Sequence, residues 1–240
     1  MTQLEICINA DDLHYLEANV AAALQGGASR IELCADMQQQ GMTPTVLAMQ
    51  KARQAFATVP GLLVMVRFRS DDQIQTKSEL AAMQQAIRQA ADSGANGVVL
   101  GLLNAQRCLD LASLELLVSQ AKKLGLQVTF HRAFDAITKQ QQALDQLIDV
   151  GVDRVLSAGT LWGSDLGVMH GLERLQQLKT QAAGRIELVV GGGVNLGNLA
   201  KIVDNLKAAD NLWSVHSYSA VLSQGKVDPQ KVAAMVRLCR

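Results

Sequence analysis

The sequence lacks paired cysteines, an excess of either charge and any long apolar run, and each absence removes a class of protein. Its four cysteines, Cys7, Cys34, Cys108 and Cys239, are widely separated, and none stands in a Cys-x-x-Cys pair. That spacing argues against a disulfide frame and for the reduced thiols of a cytoplasmic protein. Lysine and arginine total 22, as do aspartate and glutamate, so the formal net charge is zero. The basic footprint of a nucleic-acid or polyanionic-membrane binder is missing. No run of 18 apolar residues exists, so no membrane span is expected. Met1-Thr2-Gln3-Leu4-Glu5 has no basic segment followed by an apolar one, so no secretory leader is expected. Nucleophile elbows, HExxH pairs, Walker loops and dinucleotide fingerprints are absent too, as are low-complexity stretches and linkers.

What is present is alternation. Short apolar strands are predicted at Leu4–Ile8, Arg30–Cys34, Leu62–Arg67, Gly97–Leu100, Leu126–Phe130, Arg154–Ser157, Ile186–Val190 and Leu212–His216. Amphipathic helices are predicted between and after them: Leu13–Leu24, Pro44–Phe56, Ser78–Ala91, Leu111–Leu124, Gln140–Val150, Leu166–Leu178, Leu196–Leu206 and Pro229–Leu238. Eight strand–helix units in series predict an α/β fold, a single-domain (β/α)8 TIM barrel spanning residues 1–240. A doubly wound open sheet is the alternative. Glycines recur just before strands, at Gly27, Gly94, Gly125, Gly151 and Gly184. There a left-handed residue ends one helix and releases the next strand.

Strand side chains alternate faces. With Leu4, Ile6, Ile31 and Leu33 toward the helices, Glu5, Cys7, Glu32 and Cys34 point into the barrel. The same reasoning turns Met65, Arg67, Arg69, Thr129, His131, Ser157, Glu187, Ser214 and His216 inward. Buried carboxylates demand partners, and Arg67, Arg69, Arg132, His131 and His216 are the candidates. The alternative for Glu5, Glu32 and Glu187 is an ion-pair network that only fixes the barrel.

Chemistry on such barrels gathers at the C-terminal ends of the strands. Thr129-Phe130-His131-Arg132-Ala133-Phe134-Asp135 puts three ionisable side chains there. His131 with Asp135, or His131 with His216, is a candidate acid–base pair, with Glu32 as a further candidate. Val190-Gly191-Gly192-Gly193-Val194-Asn195 is a candidate anion cradle, with Asn195 capping the following helix and Ser217 contributing from strand eight. Its alternative is a tight turn that needs glycine. Arg67, Arg69 and Arg132 would hold the rest of a small phosphorylated or carboxylated ligand. Cys7 and Cys34 sit at matching levels of adjacent strands. Two thiolates so placed suit a soft ion such as Cu(I), although buried cysteines are commonly small apolar residues.

These motifs resemble the CutC family. Leu4-Glu5-Ile6-Cys7 is similar to its opening strand. Gly27-Ala28-Ser29-Arg30-Ile31-Glu32-Leu33-Cys34 and Gly41-Met42-Thr43-Pro44-Thr45 are similar to its next two motifs. Thr129–Asp135 matches its central motif, and Gly151–Gly159 and Gly191–Val194 also fit. The resemblance implies a TIM barrel, a cytoplasmic homo-oligomer and a part in copper homeostasis, with Cys7 and Cys34 as Cu(I) ligands. The sequence departs from the family at the mouth. Arg67-Phe68-Arg69 stands where Arg-Pro-Arg is usual, Ser70–Ile74 replaces a glycine-rich aromatic segment, Tyr218 is inserted, and the loop over Val221–Lys226 is short.

Overall fold

The computed structural model describes residues 2–73, 76–207 and 212–240. Met1 and Ile74, both used above, lie outside the described residues. Eight parallel strands close into a barrel in chain order. They are β1 (Gln3–Asn9), β2 (Arg30–Cys34), β3 (Leu62–Met65), β4 (Gly97–Leu100), β5 (Gln127–Phe130), β6 (Arg154–Ser157), β7 (Glu187–Val190) and β8 (Trp213–Ser217). The outer ring is α1 (Leu13–Gln25), α2 (Val46–Phe56), α3 (Lys77–Asp92), α4 (Leu111–Lys123), α5 (Gln140–Val150), α6 (Leu172–Ala182), α7 (Leu199–Leu206) and α8 (Pro229–Leu238). The protein is therefore a (β/α)8 barrel, not an open sheet. No helix among the described residues is long and apolar enough to cross a membrane.

Local chemistry sets the element ends. Side chains of Asp12, Thr45, Thr76, Asp110 and Asp228 each accept from a backbone N–H in the first turn of a helix. Thr76 and Glu79 form a reciprocal capping box. Gly151 closes α5 at φ 88°, a conformation that costs glycine little.

Two helices depart from expectation. The segment from Leu166 begins as a loop and a 3-10 turn at Val168–His170 before α6. After the glycine run, the chain turns once more, and α7 starts at Leu199 with Asn198 at its cap, not at Leu196 behind Asn195. Asn195 spends its side chain inside that turn, accepting from Gly197 N and donating to Gly193 O. A two-residue hairpin, β9 (Leu222–Ser223) with β10 (Lys226–Val227), follows β8.

Alternation assigns the two faces as expected. Leu4, Ile6, Ile31, Leu33, Val64, Val128 and Phe130 join the main core between barrel and helices. Cys7, Cys34, Leu63, Met65 and Val99 form a separate cluster inside the barrel. Below that cluster the interior is ionic. The Arg30 Nε donates to Glu5 at 3.0 Å, and its Nη2 donates to Glu187 and to Ser214 Oγ, each at 2.6 Å. The mouth arginines therefore do not neutralise Glu5 and Glu187. Arg30 pairs in register with Glu5 across β1 and β2, while Arg67 and Arg132 lie past the strand ends. Arg154 fills the neighbouring position, donating to Thr129 Oγ1 at 2.9 Å and Gln127 Oε1 at 2.8 Å.

Candidate functional site

A cavity of about 480 Å3 opens at the C-terminal end of the barrel. Its floor on the β1–β2–β8 side carries Cys7, Glu32, Cys34 and His216. Cys34 Sγ donates to Glu32 Oε2 at 3.4 Å. His216 Nδ1 lies 2.8 Å from Glu5 Oε1, and its Nε2 lies 3.7 Å from Glu32 Oε2. The two sulfurs and a Glu32 carboxylate oxygen all lie within 4.8 Å of one another. Glu32 Oε1 is buried without a hydrogen-bond partner among the described residues. Gly41 lets the β2–α2 loop pass over this cluster, because a Cβ there would lie 3.3 Å from Cys34 Sγ.

The electrostatics follow from crowding charges out of water. A hydrogen bond from Cys34, aided by His216 and working against burial, brings Cys7 down to about 6. The Cys34 thiol is pushed well above its ordinary value by the same bond and by burial. The two thiols are thus driven in opposite directions, Cys7 toward the thiolate and Cys34 toward the thiol. Burial raises Glu32 to about 8, against the pull of His216. Burial also opposes ionisation of Glu5, but His216 and Arg30 outweigh it and take the carboxyl to about 2. Burial disfavours the His216 cation, yet Glu32, Cys7 and Glu5 together hold its pKa well above the usual value.

On the β3–β5 side stand Arg67, Asp72 and His131. Arg67 Nε donates to Asp72 at 2.6 Å. Its Nη1 donates to the carbonyls of Gln39 and Gly41, and its Nη2 to that of Ser70. A guanidinium so fully used pins loops and has little left for a ligand. His131 Nδ1 accepts from Ala133 N at 3.1 Å, and Nε2 lies 3.4 Å from Asp72 Oδ1. Gly101 makes the room, since a Cβ there would fall 2.4 Å from the imidazole. Burial, with Arg67 adding to it against Asp72, lowers His131 to about 4.

The expected His131–Asp135 dyad does not form. Asp135 is fully buried and its oxygens are taken by Ser157 Oγ (2.5 Å), Ala158 N (3.0 Å) and Arg132 Nε (2.9 Å). It positions Arg132, whose guanidinium lies 5.1 Å over the Trp162 ring. Arg132, Gly192, Gly193 and Ser217 all line the cavity, and Ser217 Oγ donates to Val194 O at 3.0 Å. Arg69 does not belong to this cavity. It pairs with Asp71 at 2.8 Å and Glu79 at 3.4 Å on the outside of the loop.

Sequence reasoning missed Asp72 and Trp162. Asp72 lies seven residues past the end of β3, held at φ 58° within an irregular loop. No strand or helix period marks it. Trp162 stands in a loop, where an aromatic gives no periodic signal either.

A (β/α)8 barrel with a mouth cavity floored by two free thiols, a carboxylate and an imidazole is the class of protein that fold and site define. The CutC family pattern matches residues 2–217. A family protein CutC from Vibrio cholerae is 40% identical over 201 residues, covering 83% of this chain and 74% of its own. A solved structure named for copper homeostasis, CutC from Streptococcus agalactiae, superposes with a TM-score of 0.78 at 28% identity, covering 92% of this chain and 100% of that one. The N-(5'-phosphoribosyl)anthranilate isomerase of Pyrococcus furiosus, at 17% identity and TM-score 0.62 over 100% of this chain and 98% of its own, shares the fold alone. The chain belongs to the CutC family.

Proposed function

We propose that this protein takes part in copper homeostasis by binding Cu(I) as cargo at the floor of the cavity, through Cys7 and Cys34. The observation that carries this reading is the donor set: two sulfurs and a Glu32 oxygen within 4.8 Å of one another. Thiolates select soft ions such as Cu(I) over hard ones. Cys7 supplies a thiolate near neutral pH, and a buried Glu32 oxygen without a partner fits a third donor or a hydrogen-bond acceptor for an incoming group. Binding would release the thiol proton that Cys34 otherwise donates to Glu32. His216, held between Glu5 and Glu32, balances the negative charge that remains. Reduced thiols imply a reducing compartment, so the setting we propose is the cytoplasm, with the chain as a homo-oligomer.

Turnover of a small anion by His131, Asp135, His216 or Glu32 has less support, because Asp135 and Arg67 are both used up in fixing loops.

An anaerobic Cu(I) competition titration, with a chromophoric chelator as competitor, tests the proposal. Wild-type protein is expected to bind one ion tightly, and a Cys7→Ser, Cys34→Ser variant with unchanged circular dichroism to lose that binding. Equal affinity in the two proteins would overturn it.

A further inference from the structure

The cavity is far larger than a single ion requires, since a water molecule's share of the liquid is only about 30 Å3. Its size falls within the range of small-molecule sites. A second set of polar groups lines it, away from the thiols in the sequence and unused by them. We infer that Arg132 and the backbone of Gly192, Gly193 and Val194 bind the phosphate group of a small phosphate monoester.

Arg132 is a positioned donor. Its Nε is tied to Asp135, which Ser157 and the Ala158 N–H fix in turn. Its Cζ lies over the Trp162 ring, 5.1 Å from the centroid. Nη1 and Nη2 have no acceptor among the described residues, and the side chain is 30% exposed at the cavity. The guanidinium reaches the glycine run directly: its Cζ and Nη1 lie 3.4 Å from where a Cβ of residue 192 would stand. The N–H groups of Gly192, Gly193 and Val194 likewise have no acceptor among the described residues. Gly192 and Gly193 both adopt left-handed backbone, at φ 84° and 94°, and the space beside Gly193 is open. Successive N–H groups where the chain turns can form anion-binding concavities, and a guanidinium fork suits phosphate oxygens.

The number of donors selects phosphate over carboxylate. A carboxylate has only two oxygens, both in one plane, to share among the two Nη groups and the three N–H groups. A phosphate monoester has three terminal oxygens and can use both sets. The Asp135 carboxylate offsets the Arg132 charge, so the site works by directed donors. The ester is called for by the remaining volume, bordered by Met65, Leu156 and Tyr218.

The test uses metal-free, 15N-labelled full-length protein, so it is independent of the copper reading. Amide resonances are followed during titration with glycerol 3-phosphate, with glycerol and acetate as matched controls. Saturable shifts centred on Gly192, Gly193 and Val194, absent with glycerol and at least tenfold weaker in affinity with acetate, are expected. Arg132→Gln should weaken the phosphate titration at least tenfold. Should that variant unfold by circular dichroism, Arg132→Lys, which keeps charge but loses the fork, is expected to do the same. Shifts that do not saturate, that lie elsewhere, that acetate reproduces, or that survive both Arg132 variants would overturn the inference.

Discussion

His131 is neutral in the fold because burial and Arg67 disfavour its cation, with a pKa near 4 against an ordinary 6.5. Between those values the unfolded chain binds the extra proton, so this residue's share of stability is complete above pH 6.5 and is lost as pH falls toward 4. The full loss is about 3 kcal/mol. Glu32, raised to about 8, has the opposite sign over part of the same range, so total stability does not isolate the effect. The difference between wild type and His131→Gln does. Urea unfolding from pH 7 to pH 4.5 should show that difference shrinking with acidification; a constant difference would mean that His131 is not held neutral. At this scale the sequence was partly legible. Alternation placed Glu5, Cys7, Glu32, Cys34 and His216 in the interior. It could not tell a ligand-facing arginine from one consumed by carbonyls, because Arg67's acceptors come from the backbone of two loops.

The strands were legible because a buried parallel strand reads as a short apolar run with a fixed face. The helix starts after β6 and β7 were not, since loop turns at Val168–His170 and Asn195–Asn198 carry no period. The ionic layer was not legible: Arg30 opens β2 on the same face as Glu32, but nothing in the sequence marks it, rather than the arginines at the mouth, as the partner of Glu5 and Glu187. Arg30 ties β1, β2, β7 and β8 together through Glu5, Glu187 and Ser214. Removing one member of a buried ion cluster strands the others. Arg30→Met is expected to destabilise the barrel by about 3–5 kcal/mol, measured by urea unfolding at pH 7. Adding Glu5→Gln and Glu187→Gln should recover part of that loss; a single variant as stable as wild type would deny the cluster its structural role.

Taken whole, the molecule has no net formal charge and a sequence pI near 6.9. Self-repulsion is therefore weakest close to neutrality. Precipitation by polyethylene glycol at low ionic strength should need the least polymer near pH 7 and clearly more at pH 8.5; a flat profile would show that charge does not govern its solubility. The closed sheet also has a temporal side. Gln3 on β1 pairs with Ser214 on β8, and Arg30 meets Glu187 across 157 residues. A chain emerging from the ribosome holds β1 and β2 long before either partner exists. Until β7 and β8 are made, Arg30 lacks Glu187 and Ser214, Glu5 lacks His216, and the open edge of β1 has no neighbour. The barrel can close only late in synthesis, and through most of its making the nascent protein is an unfinished sheet dependent on whatever shields that edge.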